Sequence, residues 1–109
     1  MSKKQVRKIL TKFENELSKK IKVDNIFIFG SAARGEMTRD SDLDLIVISN
    51  NFDKMDFMKR LQLLSRASAC CADKIAMDVV GYTIKEFRDM DKVESLSLKR
   101  IMREGYFVR

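Results

Sequence analysis

Two aspartates separated by one leucine, Asp42-Leu43-Asp44, stand ten residues beyond the pair Gly30-Ser31, and a further acid, Asp78, interrupts the apolar run Ile75-Ala76-Met77-Asp78-Val79-Val80. On an extended strand, residues two apart share a face about 6.5 to 7 Å from one another. Asp42 and Asp44 can therefore converge on one cation or a pair of cations, while Leu43 turns the other way into a core. Carboxylates so close repel and raise one another's pKa unless a positive charge lies between them. A divalent ion removes that penalty, and Mg²⁺ favours a few carboxylates together with phosphate oxygens and water. A lone acid in an apolar strand is costly to bury uncompensated; if that strand lies beside the one carrying Asp44, Asp78 completes a set of three carboxylates.

The glycine-serine pair supplies the complementary half. Gly30 lets a backbone approach a ligand closely, and amides opening a helical turn bind phosphate oxygens. The Ser31 hydroxyl adds a hydrogen bond, and Arg34, one turn on, can direct a guanidinium at the same anion. Two metals about 3.5 to 4 Å apart could then activate an attacking oxygen and stabilise a leaving pyrophosphate. Each piece has a plainer reading taken alone. Asp-x-Asp decorates many strand starts, Arg34 serves equally as a solvated charge or ion-pair donor, and Asp78 could face solvent from an edge strand.

Positioning these residues requires strands that end where the chemistry begins. Val6, Ile9, Leu10, Phe13, Leu17 and Ile21 recur at helical spacing, predicting an amphipathic helix over 3–20. Residues 25–29 form a short apolar run suited to a buried strand. Residues 31–35 read as a short helical turn bracketed by glycines, and 43–48 as a second strand. Met55, Met58, Leu61, Leu64 and Ala67 predict a helix over 53–71 with its methionines filling core. Residues 75–81 read as a third strand, and Thr83 to Glu86 as a capping box opening a helix. A last helix over 92–104 is expected to end at Gly105 as a C-terminal cap, followed by a short edge strand at Tyr106, Phe107 and Val108. Helix, strand, strand, helix, strand, helices implies one α/β (α+β) domain over 1–109, a small mixed sheet flanked by helices.

Composition narrows the chemistry further. The chain has no histidine, which excludes His-based acid/base pairs and Ser-His-Asp triads. Cys70 and Cys71 are its only cysteines; adjacent and without other partners, they cannot build a zinc site and fit a reduced compartment. No apolar stretch approaches the roughly 20 residues of a membrane span, and the basic start is not followed by an apolar segment, so a cytoplasmic protein without membrane association is expected. Net charge is +6, from 22 basic and 16 acidic residues. Much of it sits on the first helix, at Lys3, Lys4, Arg7, Lys8, Lys12, Lys19 and Lys20, where a solvated face is the main reading beside an acidic protein partner or attraction of an anionic nucleotide; nucleic acid is permitted but not favoured.

At these residues the chain resembles the minimal nucleotidyltransferases of the DNA polymerase β-like superfamily. Gly30-Ser31-Ala32-Ala33-Arg34-Gly35-Glu36 followed by Ser41-Asp42-Leu43-Asp44-Leu45 is similar to the family signature, and Met77-Asp78-Val79-Val80 to its third acidic strand. The resemblance implies a polymerase β-like core, two Mg²⁺ ions, and transfer of a nucleoside monophosphate, AMP from ATP, to a hydroxyl. Asp42 and Asp44 would bind both metals. Asp78 would hold the catalytic metal and help deprotonate the acceptor, and Gly30, Ser31 and Arg34 would bind the triphosphate. It further implies a hetero-oligomer with a HEPN-type toxin, for which the chain would act as antitoxin by adenylylating a tyrosine. Two alternatives stay open: a non-catalytic binding module acting by contact, and nucleotide transfer to RNA or a small molecule.

Overall fold

The computed structural model describes residues 2–38, 40–90, 92 and 95–109. Helix α1 (Lys3–Leu17) starts with a capping box. The Ser2 hydroxyl accepts from the Gln5 amide at 3.2 Å, and the Gln5 side chain accepts from the Ser2 amide at 2.8 Å. The helix ends three residues short of the expected boundary, in a turn over 18–20. Its apolar stripe, Val6, Ile9, Leu10, Phe13 and Leu17, is buried, and its lysines are exposed. No helix among the described residues is long and apolar enough to cross a membrane.

Strands β1 (Asn25–Phe29) and β2 (Leu43–Ile48) fall where their apolar runs place them. With β3 (Met77–Tyr82) and β4 (Tyr106–Phe107) they form one mixed sheet in the order β3-β2-β1-β4. The β1–β2 and β1–β4 pairs are antiparallel and β2–β3 is parallel. Alternation divides the sheet into two faces. Ile26, Ile28, Leu43, Leu45 and Val47 pack with α1 and with Leu64 of α2 (Phe57–Ser68). Phe27, Ile46 and Ile48 pack on the other side with Phe87 of α3 (Ile84–Met90) and with Ile101 and Met102 of α4 (Leu96–Glu104). Phe27, Phe87 and Phe107 form a mutually tilted aromatic trio, with centroids 5.1 to 5.6 Å apart.

Several boundaries differ from the sequence reading, each for a physical reason. The helix expected over 53–71 is three pieces: a 3-10 helix at Asn50–Lys54, α2, and a 3-10 turn at Ala69–Cys71. Asp56 separates the first two by capping α2, its carboxylate accepting from the Lys59 amide at 2.8 Å. Residues three apart drift about 60° around a helix at each step, so a row of such steps leaves the core. Met58 is accordingly 62% exposed, whereas Met55, ahead of the helix, packs against the core as expected. Arg60 and Leu64, four apart, are the residues of α2 that are buried. Strand β3 begins two residues later than expected, and Asp78 on it is exposed, so no burial cost falls on that acid.

The expected capping box of α3 is present: the Thr83 amide donates to the Glu86 carboxylate at 2.7 Å, and the Glu86 amide to the Thr83 hydroxyl at 3.1 Å. Helix α4 is capped by Ser95, and its expected start at Lys92 is followed by residues outside the described set. Gly105 caps α4 as expected, its amide donating to the Ile101 carbonyl at 2.9 Å, with a φ of −78° rather than a left-handed conformation. It is needed for space: a Cβ there would lie 2.3 Å from the Phe27 ring and 2.7 Å from the Ile28 carbonyl oxygen.

Arg60 joins three elements beneath the sheet. Its guanidinium donates to the carbonyls of Met55, Phe52 and Gly81 and forms a 2.7 Å ion pair with Glu86. Arg60→Ala would leave those carbonyls without their donor, and we expect a loss of about 3 kcal/mol in urea unfolding followed by circular dichroism. Glu86→Gln should cost no more than about 1 kcal/mol, because the Glu86 side chain is 43% exposed.

Candidate active site

The acidic residues meet through strand register. In the antiparallel pair, Phe29 lies opposite Asp44; in the parallel pair, Asp44 lies opposite Asp78. Residues directly opposite project to the same face, here the face shared with Ile46, Ile48 and Phe27. Asp42 precedes β2 by one residue, while Leu43 and Leu45 are fully buried on the other face and fix the alternation. Asp44 is half-buried; Asp42 and Asp78 are exposed.

The Asp44 carboxylate rests on the Gly30 backbone. Gly30 has φ +70°, a left-handed conformation that glycine adopts freely. A Cβ at this position would sit 2.2 Å from Asp44 Oδ2. Glycine therefore serves twice, turning the chain and leaving room for the acid. Burial raises the Asp44 pKa above the ordinary carboxylate range, and the negative charges of Asp78 and then Asp42 raise it further; Arg34 opposes them.

Residues 31–35 form a hydrogen-bonded turn without becoming a helix. Arg34 N–H donates to Gly30 O at 3.2 Å, Gly35 N–H to Ala32 O at 3.3 Å, and Glu36 N–H to Ser31 O at 2.8 Å. The three spans differ, so no helical ladder propagates and no helix dipole adds to the site. The amides of Ser31, Ala32 and Ala33 have no partner among the described residues and remain available as donors. The Ser31 hydroxyl contacts the Met37 sulfur at 3.3 Å.

Arg34 takes the plainer of its readings, that of an ion-pair donor. Its Nε lies 3.0 Å from Glu36 and its Nη1 3.4 Å from Glu104, so the guanidinium is already held by two carboxylates. Both raise its pKa, Glu36 first. Sequence reasoning missed these partners. Glu36 was visible two residues on; Glu104 comes from α4, which only the tertiary fold brings near.

The donor set suits a hard divalent cation: every candidate ligand is a carboxylate oxygen, and the central one carries a pKa raised by burial and then by the neighbouring acids. Among the described residues, however, no group of three acidic, histidine or cysteine side chains stands close enough to hold one ion as placed.

Comparison with known proteins agrees with this architecture. Residues 10–104 match the nucleotidyltransferase domain family, and the chain belongs to that family. A Methanocaldococcus jannaschii protein named "Putative protein adenylyltransferase" is 34% identical over 77 residues, covering 71% of this chain and 76% of its own. Two others of the same name and organism are 37% and 38% identical, and the chain spans only 58% and 60% of their lengths. Among solved structures, a toxin-antitoxin with AMP-PNP superposes with a TM-score of 0.62 at 20% identity, over 91% of this chain and 71% of that one. A Sulfolobus solfataricus nucleotidyltransferase, so named provisionally, gives 0.59 at 20% identity over 94% and 80%. These two establish likeness of fold.

Because native Asp44 binds its proton more tightly than the unfolded chain does, stability falls as pH rises from the ordinary carboxylate pKa through the raised one. Asp44→Asn should therefore raise the melting temperature at neutral pH. Asp78→Asn should lower the Asp44 pKa, and Asp42→Asn should lower it less; carboxyl-carbon NMR titration measures both.

Proposed function

We propose that this chain is a Mg²⁺-dependent nucleotidyltransferase that moves AMP from ATP to a hydroxyl of a protein partner, a tyrosine of a HEPN-type toxin. The observation that carries the reading is the lateral series Gly30, Asp44, Asp78, fixed by register across two strand pairs. It supplies free amides for phosphate on one side and carboxylates for cations on the other. The names of the relatives support a protein acceptor, and a toxin-antitoxin with AMP-PNP shares the fold.

Asp42 and Asp44 would hold both ions, with Asp78 completing the shell of one. Bound Mg²⁺ would offset the charge of the triphosphate and of the departing pyrophosphate. Gly30 keeps Asp44 low against the turn so that the triphosphate can lie across it. The amides of Ser31, Ala32 and Ala33, with the Ser31 hydroxyl, would receive phosphate oxygens. The acceptor oxygen would attack the α-phosphorus, the bond to pyrophosphate would break, and Asp78 would take the hydroxyl proton. Arg34, tied to Glu36 and Glu104, brackets the turn and stiffens it; direct contact with phosphate would require it to leave these partners.

Incubation with α-labelled ATP, Mg²⁺ and the partner toxin should label the partner. Asp42→Asn combined with Asp44→Asn should reduce labelling at least about a hundredfold without loss of fold. If the double variant still neutralises the toxin fully, the chain acts by contact and the catalytic reading fails.

A further inference from the structure

On the sheet face opposite the acids, a cleft of about 670 Å³ opens between the start of α1, the turn over 31–35 and β4. Its floor is aliphatic, from Val6, Leu10 and Ile28, and its rim carries Lys3, Arg7 and Tyr106. We infer that this cleft is the docking site for an acidic segment of the protein partner, one that seats an apolar side chain between flanking carboxylates.

Three observations converge on that occupant. Lys3 and Arg7 lie four residues apart on α1, where like charges repel, and neither has an ion-pair partner among the described residues. An incoming carboxylate relieves that repulsion. Arg34 also lines the cleft, but Glu36 and Glu104 already neutralise it, so the unmatched positive charge belongs to α1. The cleft is bounded by exposed apolar surface: Tyr106 is 46% and Val108 39% exposed.

This composition favours a peptide over RNA. An aliphatic floor with one aromatic ring offers no platform for stacked bases, but it fits a leucine or phenylalanine flanked by acids. A second copy of the chain, at net charge +6, would bring repulsion to the same helix. The turn over 31–35 walls the cleft on one side and borders the acids on the other, so a segment docked here is anchored beside the proposed transfer site. The choice of a protein occupant rests on the reading of the chain as acting on a protein.

The test measures binding without nucleotide or Mg²⁺, by fluorescence anisotropy of a labelled peptide alternating glutamate with leucine and phenylalanine. Saturable binding is expected, equal for the native chain and for Asp42→Asn plus Asp44→Asn, so failure of catalysis leaves it untouched. Lys3→Glu with Arg7→Glu should weaken it about tenfold. Lys4→Glu with Lys8→Glu, on the same helix but outside the cleft, should leave it unchanged, with circular dichroism confirming helix content in both. Replacing the peptide's apolar residues by serine should weaken it as well. Absence of saturation, equal losses in the two double variants, indifference to the serine replacement, or tighter binding of a labelled oligoadenylate would each overturn the assignment.

Discussion

The position of β2 between an antiparallel and a parallel neighbour is the constraint on which the rest depends. One side of the strand sets Asp44 against Phe29 and the glycine that follows it; the other sets Asp44 against Asp78. Leu43, Leu45 and Val47 are fully buried on the opposite face. A slip of one residue would move those three to the face covered by α3 and α4 and put Asp44 among the side chains packed against α1 and α2. The packing of β2 on both of its faces therefore holds the carboxylates in place. The burial of Asp44 and, after it, the repulsion from Asp78 and Asp42 raise its pKa, and the packing beneath carries that cost.

The far end of the sheet keeps that register. Parallel strands need a long connection, and here it contains α2, whose Arg60 binds carbonyls from the segment after β2 and from β3 itself. Through Glu86 the same guanidinium reaches the cap of α3. Gly81 leaves room for Phe52, whose carbonyl Arg60 binds, since a Cβ there would fall 2.8 Å from the Phe52 ring. A buried cation thus ties the three polypeptide segments that decide where Asp78 stands, although it lies at the opposite end of the strand from the acids.

Much of this was legible in the residues. Strands β1 and β2 have continuous apolar runs bounded by polar turns, and their ends coincide with the expectation. The capping box of α3 follows from local chemistry alone. Less legible were features set by contacts distant in sequence. Asp78 could be identified as a candidate, but its exposure on an edge strand depends on the strand order. Gly105 ends α4 as its position suggested, but the room it leaves for the Phe27 ring depends on the tertiary fold. Arg34 looked free for an anion, and the fold gives it Glu104. In α2 a three-residue methionine spacing misled because it does not match the helical period, while the buried arginine carried no local signal at all.

We propose that Asp42, Asp44 and Asp78 form one cation site against the Gly30-Ser31 turn. Paramagnetic broadening of backbone amide resonances by substoichiometric Mn²⁺ tests it most directly. Broadening should concentrate at Gly30, Ser31, Asp42, Asp44 and Asp78, and should vanish when Asp44 is replaced by asparagine. Broadening centred instead on Glu36 and Glu104, or spread evenly over the exposed acids, would contradict it.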